Sequence, residues 1–200
     1  MPRFRAFVPL AVAGTVLTGL LTLPGQAAAA TAPQAAAAAL PPYSTWIADV
    51  TAVTDQAAAY LRDRLPGSGR PAVVLDIDNT SLESNYHPGL ADVPAVAPVL
   101  RVAQYAAQHG ATVFFVTGRL KLEDWITRYN LTKVGYQYAD VYETGLGDLF
   151  DLQKYKTAAR ADIEAKGYTI VANIGNNDSD LAGGHAERTF KLPDYGGQLP

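Results

Sequence analysis

The chain has 200 residues, 16 of them Lys or Arg against 19 Asp or Glu, for a formal net charge of −3, and it contains no cysteine. The absent cysteine excludes disulfides and cysteine-linked lipid anchors, and the mild acidity excludes the dense basic surface that nucleic-acid binding requires. Stability must therefore come from packing or a bound ion, and any anion binding from local charge.

Met1-Pro2-Arg3-Phe4-Arg5, the apolar stretch Ala6 to Leu23 and the small-residue run ending at Ala30 have the layout of a secretory signal peptide, with cleavage near Ala28 or Ala30. A membrane-anchoring helix is the other reading of so long an apolar stretch. Residues 1–30 are thus expected to direct export, giving a secreted, extracellular protein with no stable membrane association after cleavage. Loss of Arg3 and Arg5 leaves 14 basic against 19 acidic residues. Residues 31–42 read as an Ala-rich flexible spacer, and 43–200 as one domain with a core large enough to fold alone.

From Tyr43 to Leu65, Trp46, Ile47, Val50, Val53 and Leu61 recur at helical spacing, with Pro66-Gly67 as the stop. A strand is predicted over Ala72–Leu75, a helix over Val96–His109, a strand over Thr112–Val116 and a helix from Leu122 to Tyr129. A shorter strand, Asp140–Tyr142, precedes a helix over Leu152–Lys166, a strand over Thr169–Ile174 and a last apolar run, Arg188–Leu192. Strands alternating with helices of this length predict an α/β fold around a parallel sheet.

Ligands in such folds gather beyond the carboxyl ends of the strands, so the residues there carry the chemistry. The first strand runs into Asp76-Ile77-Asp78-Asn79-Thr80. Two converging carboxylates repel unless a cation joins them, and a hard divalent ion such as Mg²⁺ suits oxygen donors, waters and substrate phosphate. Thr117-Gly118-Arg119 places a hydroxyl, backbone amides and a guanidinium at the same edge, a phosphate-binding combination. Lys154 and Lys156 begin a helix, where the dipole does not favour a cation, and Asn173 to Leu181 forms an Asn- and Asp-rich turn at another strand end.

In this order, the four elements resemble the haloacid dehalogenase (HAD) superfamily of phosphohydrolases, and within it the secreted acid phosphatase branch that includes plant vegetative storage proteins. The resemblance spans Tyr43 to Leu192 and implies a HAD-like Rossmannoid three-layer sandwich with a minimal cap. It implies catalytic roles for Asp76 (nucleophile, forming an aspartyl-phosphate), Asp78 (acid, then base), Thr117 and Lys156. It further implies substrate contacts from Gly118 and Arg119. Mg²⁺ would be held by Asp76, Asp78, Asn176 and Asp180, with Asp178 in reserve. Asn176 stands where the family usually has an aspartate, which removes a charge from the ion site. Only about 30 residues separate Ser81 from Thr112, too few for a large cap, so the pocket is expected to be open to varied small phosphomonoesters. Glu83, Tyr86 and His87 are candidates for contacting the leaving group. The expected activity is that of a Mg²⁺-dependent acid phosphatase. The alternatives are a non-catalytic storage or phosphate-binding protein, and a phosphotransferase that uses an alcohol as acceptor.

Overall fold

The computed structural model describes residues 40–67 and 69–200. The expected signal peptide, residues 1–30, and the spacer as far as residue 39 lie outside the described residues. Five strands, β1 (Pro71–Leu75), β2 (Thr112–Leu120), β3 (Asp140–Thr144), β4 (Thr169–Gly175) and β5 (Arg188–Lys191), form a parallel sheet in the order β3-β2-β1-β4-β5. The helices are α1 (Tyr43–Arg64), α2 (Ala97–Gln108), α3 (Asp124–Lys133), α4 (Leu152–Ala165) and the one-turn α5 (Asp178–Leu181).

Every residue of β1 is buried, because both faces of the sheet are covered. Val73 and Leu75 point into a core shared with Trp46, Val50 and Leu61 of α1, Val99, Val102 and Ala106 of α2, and Leu131 of α3. Ala72 and Val74 point the other way, into a smaller core with Ala159 and Ile163 of α4. Period-two alternation along one strand thus builds three layers. In β4 the alternation slips where the register against β1 shifts between Ala72 and Val73, so Val171 and Ala172 both face the larger core.

The helices begin and end where local chemistry dictates. Asp151 caps α4 by accepting a hydrogen bond from the Lys154 amide, and Gly167 beyond it adopts φ 85°, the left-handed conformation that side chains resist. Strand β2 runs four residues past its expected end, because Leu120 pairs with Thr144 of β3 after an irregularity. The following helix is delayed by a 3-10 turn over Lys121–Glu123. Between β1 and α2 the chain makes only turns and two isolated bridges, Asp78–Leu82 and Leu82–Ala95, so no large cap stands on the carboxyl edge of the sheet among the described residues. Strand order reverses at β1, leaving a crevice at the ends of β1 and β4.

Candidate active site

The chain leaves β1 in a tight turn. The Asp76 amide still bonds to Ile174 of β4 at 3.0 Å, and the Ile77 carbonyl then accepts from Ser81 and Leu82 at 2.8 and 2.9 Å. Ile77 is fully buried, and Asn79 takes a left-handed φ of 56° that Asn tolerates better than most residues. This turn leaves the flanking carboxylates of Asp76 and Asp78 on a cavity of about 410 Å³, shared with Thr117 and Gly118 from β2 and Lys156 from α4.

The Lys156 ammonium lies 2.9 Å from Asp76 Oδ1 and also bonds Asp180 Oδ1, with all three side chains almost wholly buried. Burial and the neighbouring Asp180 carboxylate push Asp76 up to about 7, against the pull of Lys156. Burial alone would lower Lys156, but Asp76 and Asp180 outweigh it and keep the lysine charged, well above its ordinary range. One cation between two buried carboxylates leaves negative charge to be neutralised.

Asp78 behaves differently. Arg119 grips it with a two-pronged ion pair, Nε to Oδ2 at 2.9 Å and Nη2 to Oδ1 at 2.7 Å. Burial pushes the Asp78 carboxyl up, but the Arg119 fork and the Ser84 hydroxyl together hold it below the usual carboxylate range. In the free protein, then, the two carboxylates are pushed in opposite directions: an arginine sits beside Asp78, and the more buried acid is Asp76. Arg119 stands behind Asp78 and does not line the cavity. Thr117 is buried and accepts from the Arg119 amide at 3.2 Å, which leaves its own hydroxyl proton free to donate.

The fourth loop departs most from expectation. Asn176 is fully buried, with both ends of its amide engaged: Oδ1 accepts from the Thr80 hydroxyl at 2.9 Å, and Nδ2 donates to the Leu199 carbonyl at 2.8 Å. Asp180 accepts from Lys156 through Oδ1 and from the Asn177 amide through Oδ2, closing the capping box that starts α5. Asp178 is exposed, 3.5 Å from Lys191. Two of the four expected ion donors thus serve internal bonds, and no group of three or more His, Cys, Asp or Glu among the described residues is arranged to hold a metal. Asp76 Oδ2 and the Asp78 carbonyl accept no hydrogen bond among the described residues and remain available. That pair fits an ion which keeps several of its waters.

Sequence reasoning also missed Ser84, Asn85, Asn177, Ser179, Leu152 and Pro200, which complete the cavity lining. Ser84 and Asn85 follow the first motif closely enough to have been suspected; Pro200 gave no signal. Lys154 is exposed and lines a separate hollow. Glu83 is buried and bonds Tyr43 and His87, while Tyr86 stacks on Trp46, so these residues tie α1 to the loop and stay out of the cavity lining.

The profile of the HAD superfamily, subfamily IIIB (Acid phosphatase), matches residues 89–198, more than half of the chain. The chain belongs to this family. Among curated relatives of this HAD protein, the stem 28 kDa glycoprotein of Glycine max is 32% identical over 172 residues, covering 73% of this chain and 66% of its own length. Acid phosphatase 1 of Solanum lycopersicum is 29% identical over 171 residues, with the same coverage of 73% and 66%. The chain spans slightly less than two thirds of these relatives. The class C acid phosphatase of Bacillus anthracis shares the fold with a TM-score of 0.63 at 16% identity, over 76% of this chain and 79% of that one.

Proposed function

We propose that this HAD protein is an acid phosphatase that hydrolyses small phosphomonoesters through an aspartyl-phosphate on Asp76. The observation that carries the reading is the convergence of Asp76, Asp78, Thr117 and Lys156 on one open cavity. Relatives named acid phosphatase, and a class C acid phosphatase of the same fold crystallised with tungstate, support it.

One oxygen of the Asp76 carboxylate attacks phosphorus as the bond to the leaving oxygen breaks, and Lys156, bonded to the same carboxylate, holds the nucleophile in place and offsets charge on the phosphoryl group. The Thr117 hydroxyl and the Gly118 amide bind phosphoryl oxygens. Asp78 passes a proton to the departing alkoxide; because Arg119 keeps it ionised in the free protein, that proton arrives with substrate or solvent at mildly acidic pH. Water then attacks the phosphoenzyme, returning its proton to Asp78 and freeing Asp76. A divalent ion, Mg²⁺ on this reading, would be held by Asp76 and the Asp78 carbonyl and would let two anions approach one another. The leader-like residues 1–30 support export, so the enzyme would act outside the cell.

A second reading, a storage or phosphate-binding protein, draws support from vegetative storage protein 2 of Arabidopsis thaliana, 30% identical over 105 residues, 52% of this chain and 40% of its own length. It also draws on the uncharged Asn176. The purified protein is expected to hydrolyse p-nitrophenyl phosphate at mildly acidic pH with Mg²⁺, and Asp76→Asn to lower kcat by roughly a thousandfold or more. No turnover by the wild type with any phosphomonoester or divalent ion would favour the storage reading.

A further inference from the structure

Three asparagine side chains, two from the loop after β1 and one from the end of β4, donate to the main-chain oxygens of three consecutive residues. Asn79 Nδ2 reaches the Pro200 carbonyl at 2.9 Å, Asn176 Nδ2 the Leu199 carbonyl at 2.8 Å, and Asn85 Nδ2 the Gln198 carbonyl at a longer 3.4 Å. Asn79 and Asn176 are fully buried, as is the Leu199 side chain, which is part of the larger core. The segment reaches this position through a hook in which Tyr195, Gly196 and Gly197 are all left-handed and the Gln198 and Leu199 amides both bond to Asp194. Pro200, at its tip, lines the phosphate cavity.

Both buried positions require an amide. A carboxylate there could not donate, and would set its charge against a carbonyl oxygen. The remaining oxygens are also spent inside the protein, Asn79 Oδ1 on the Asn85 amide and Asn176 Oδ1 on the Thr80 hydroxyl. If the segment lifted away, the Asn176 donor would be stranded in the interior and Asn79 Nδ2 would keep only its 3.1 Å bond to Asn85 Oδ1, so the segment is a fixed wall and not a lid. Its location follows from its ties: Asn79 is the residue after Asp78, the group that addresses the leaving oxygen.

We propose that residues 198–200, clamped by Asn79 and Asn176, form the leaving-group wall of the cavity, and that Pro200 is a specificity-determining residue that limits leaving-group bulk. The selectivity part rests on the phosphatase reading; the clamp does not.

The two parts are tested separately. Asn79→Gly keeps the left-handed backbone comfortable and removes only the amide; amide hydrogen exchange at Gln198 and Leu199 is expected to quicken at least tenfold, and Asn176→Asp is expected to do the same. Exchange unchanged in both variants would overturn the clamp, and this readout holds even if the protein hydrolyses nothing. For selectivity, the ratio of kcat/KM on 4-methylumbelliferyl phosphate to that on glycerol 2-phosphate is measured for wild type and Pro200→Gly. The ratio is expected to rise at least threefold, through a lower KM for the bulky ester. An unchanged ratio in an active Pro200→Gly enzyme overturns the wall while leaving the phosphatase reading intact. A wild type inactive on both esters would remove that reading and the selectivity claim with it.

Discussion

Two places among the described residues bury a carboxylate near a cation. At the ends of β1 and β4, Asp76 and Asp180 share Lys156; at the β3 edge, Glu143 lies against Asp124, which pairs with Arg128 as Asp140 does. Burial first, and a neighbouring carboxylate second, push one acid in each place up to about 7. The surroundings differ. Asp76 opens onto a cavity whose other walls offer a hydroxyl, a glycine backbone and a second carboxylate; Glu143 borders a hollow of about 270 Å³ lined by Lys121, Tyr142 and Tyr155. A raised acid therefore reports burial, whereas a nucleophile is marked by what converges on it.

Substitutions at both places sharpen this contrast, and the largest effect is expected at the first. Lys156→Met should cut kcat by about a hundredfold, because it removes the charge facing the phosphoryl group and leaves Asp76 and Asp180 to repel each other. Steady-state kinetics across pH would check this; a variant within threefold of wild type would make the two clusters equivalent. Next comes Gly175→Ala, whose new Cβ would lie 2.4 Å from Asp180 Cβ. It should cost about 3 kcal/mol of stability, read by urea unfolding, with activity falling in the surviving folded fraction as Asp180 and Lys156 shift.

The smallest effect belongs to the second cluster. Glu143 binds its proton more tightly folded than unfolded, so its contribution to stability is complete below its ordinary value of 4.5 and is lost as pH rises through about 7. Glu143→Gln should remove that loss, raising Tm by roughly a few degrees at pH 8 and hardly at all at pH 4, with kcat unchanged. A large fall in kcat instead would place Glu143 in the chemistry and erase the distinction.

The sheet was legible because β1, β2 and β4 are runs of aliphatic and aromatic residues that only a covered strand can use. The one-turn α5 was not, since Asn177 to Leu181 has the composition of a turn and becomes helical through the capping box with Asp180. The extension of β2 depended on pairing with β3, which no local pattern records. Asp76, Asp78 and Thr117 could be placed by their order along strand ends, and Lys156, in a helix, only through the order of the family's motifs. The fate of Asn176 could not, because its amide answers to Thr80 and Leu199, 96 and 23 residues away in sequence. Nor does the sequence show which carboxylate Arg119 will hold, and that choice sets the proton balance of the pair.

The strand order has a consequence for synthesis. β1, central in the sheet, leaves the ribosome early with its two acids exposed, whereas its neighbour β4 begins at Thr169 and the lysine that Asp76 needs lies 80 residues downstream of it. The nascent polypeptide must carry an unpartnered hydrophobic ribbon until those later pieces appear, so closing the centre of this protein is a slow, long-range event.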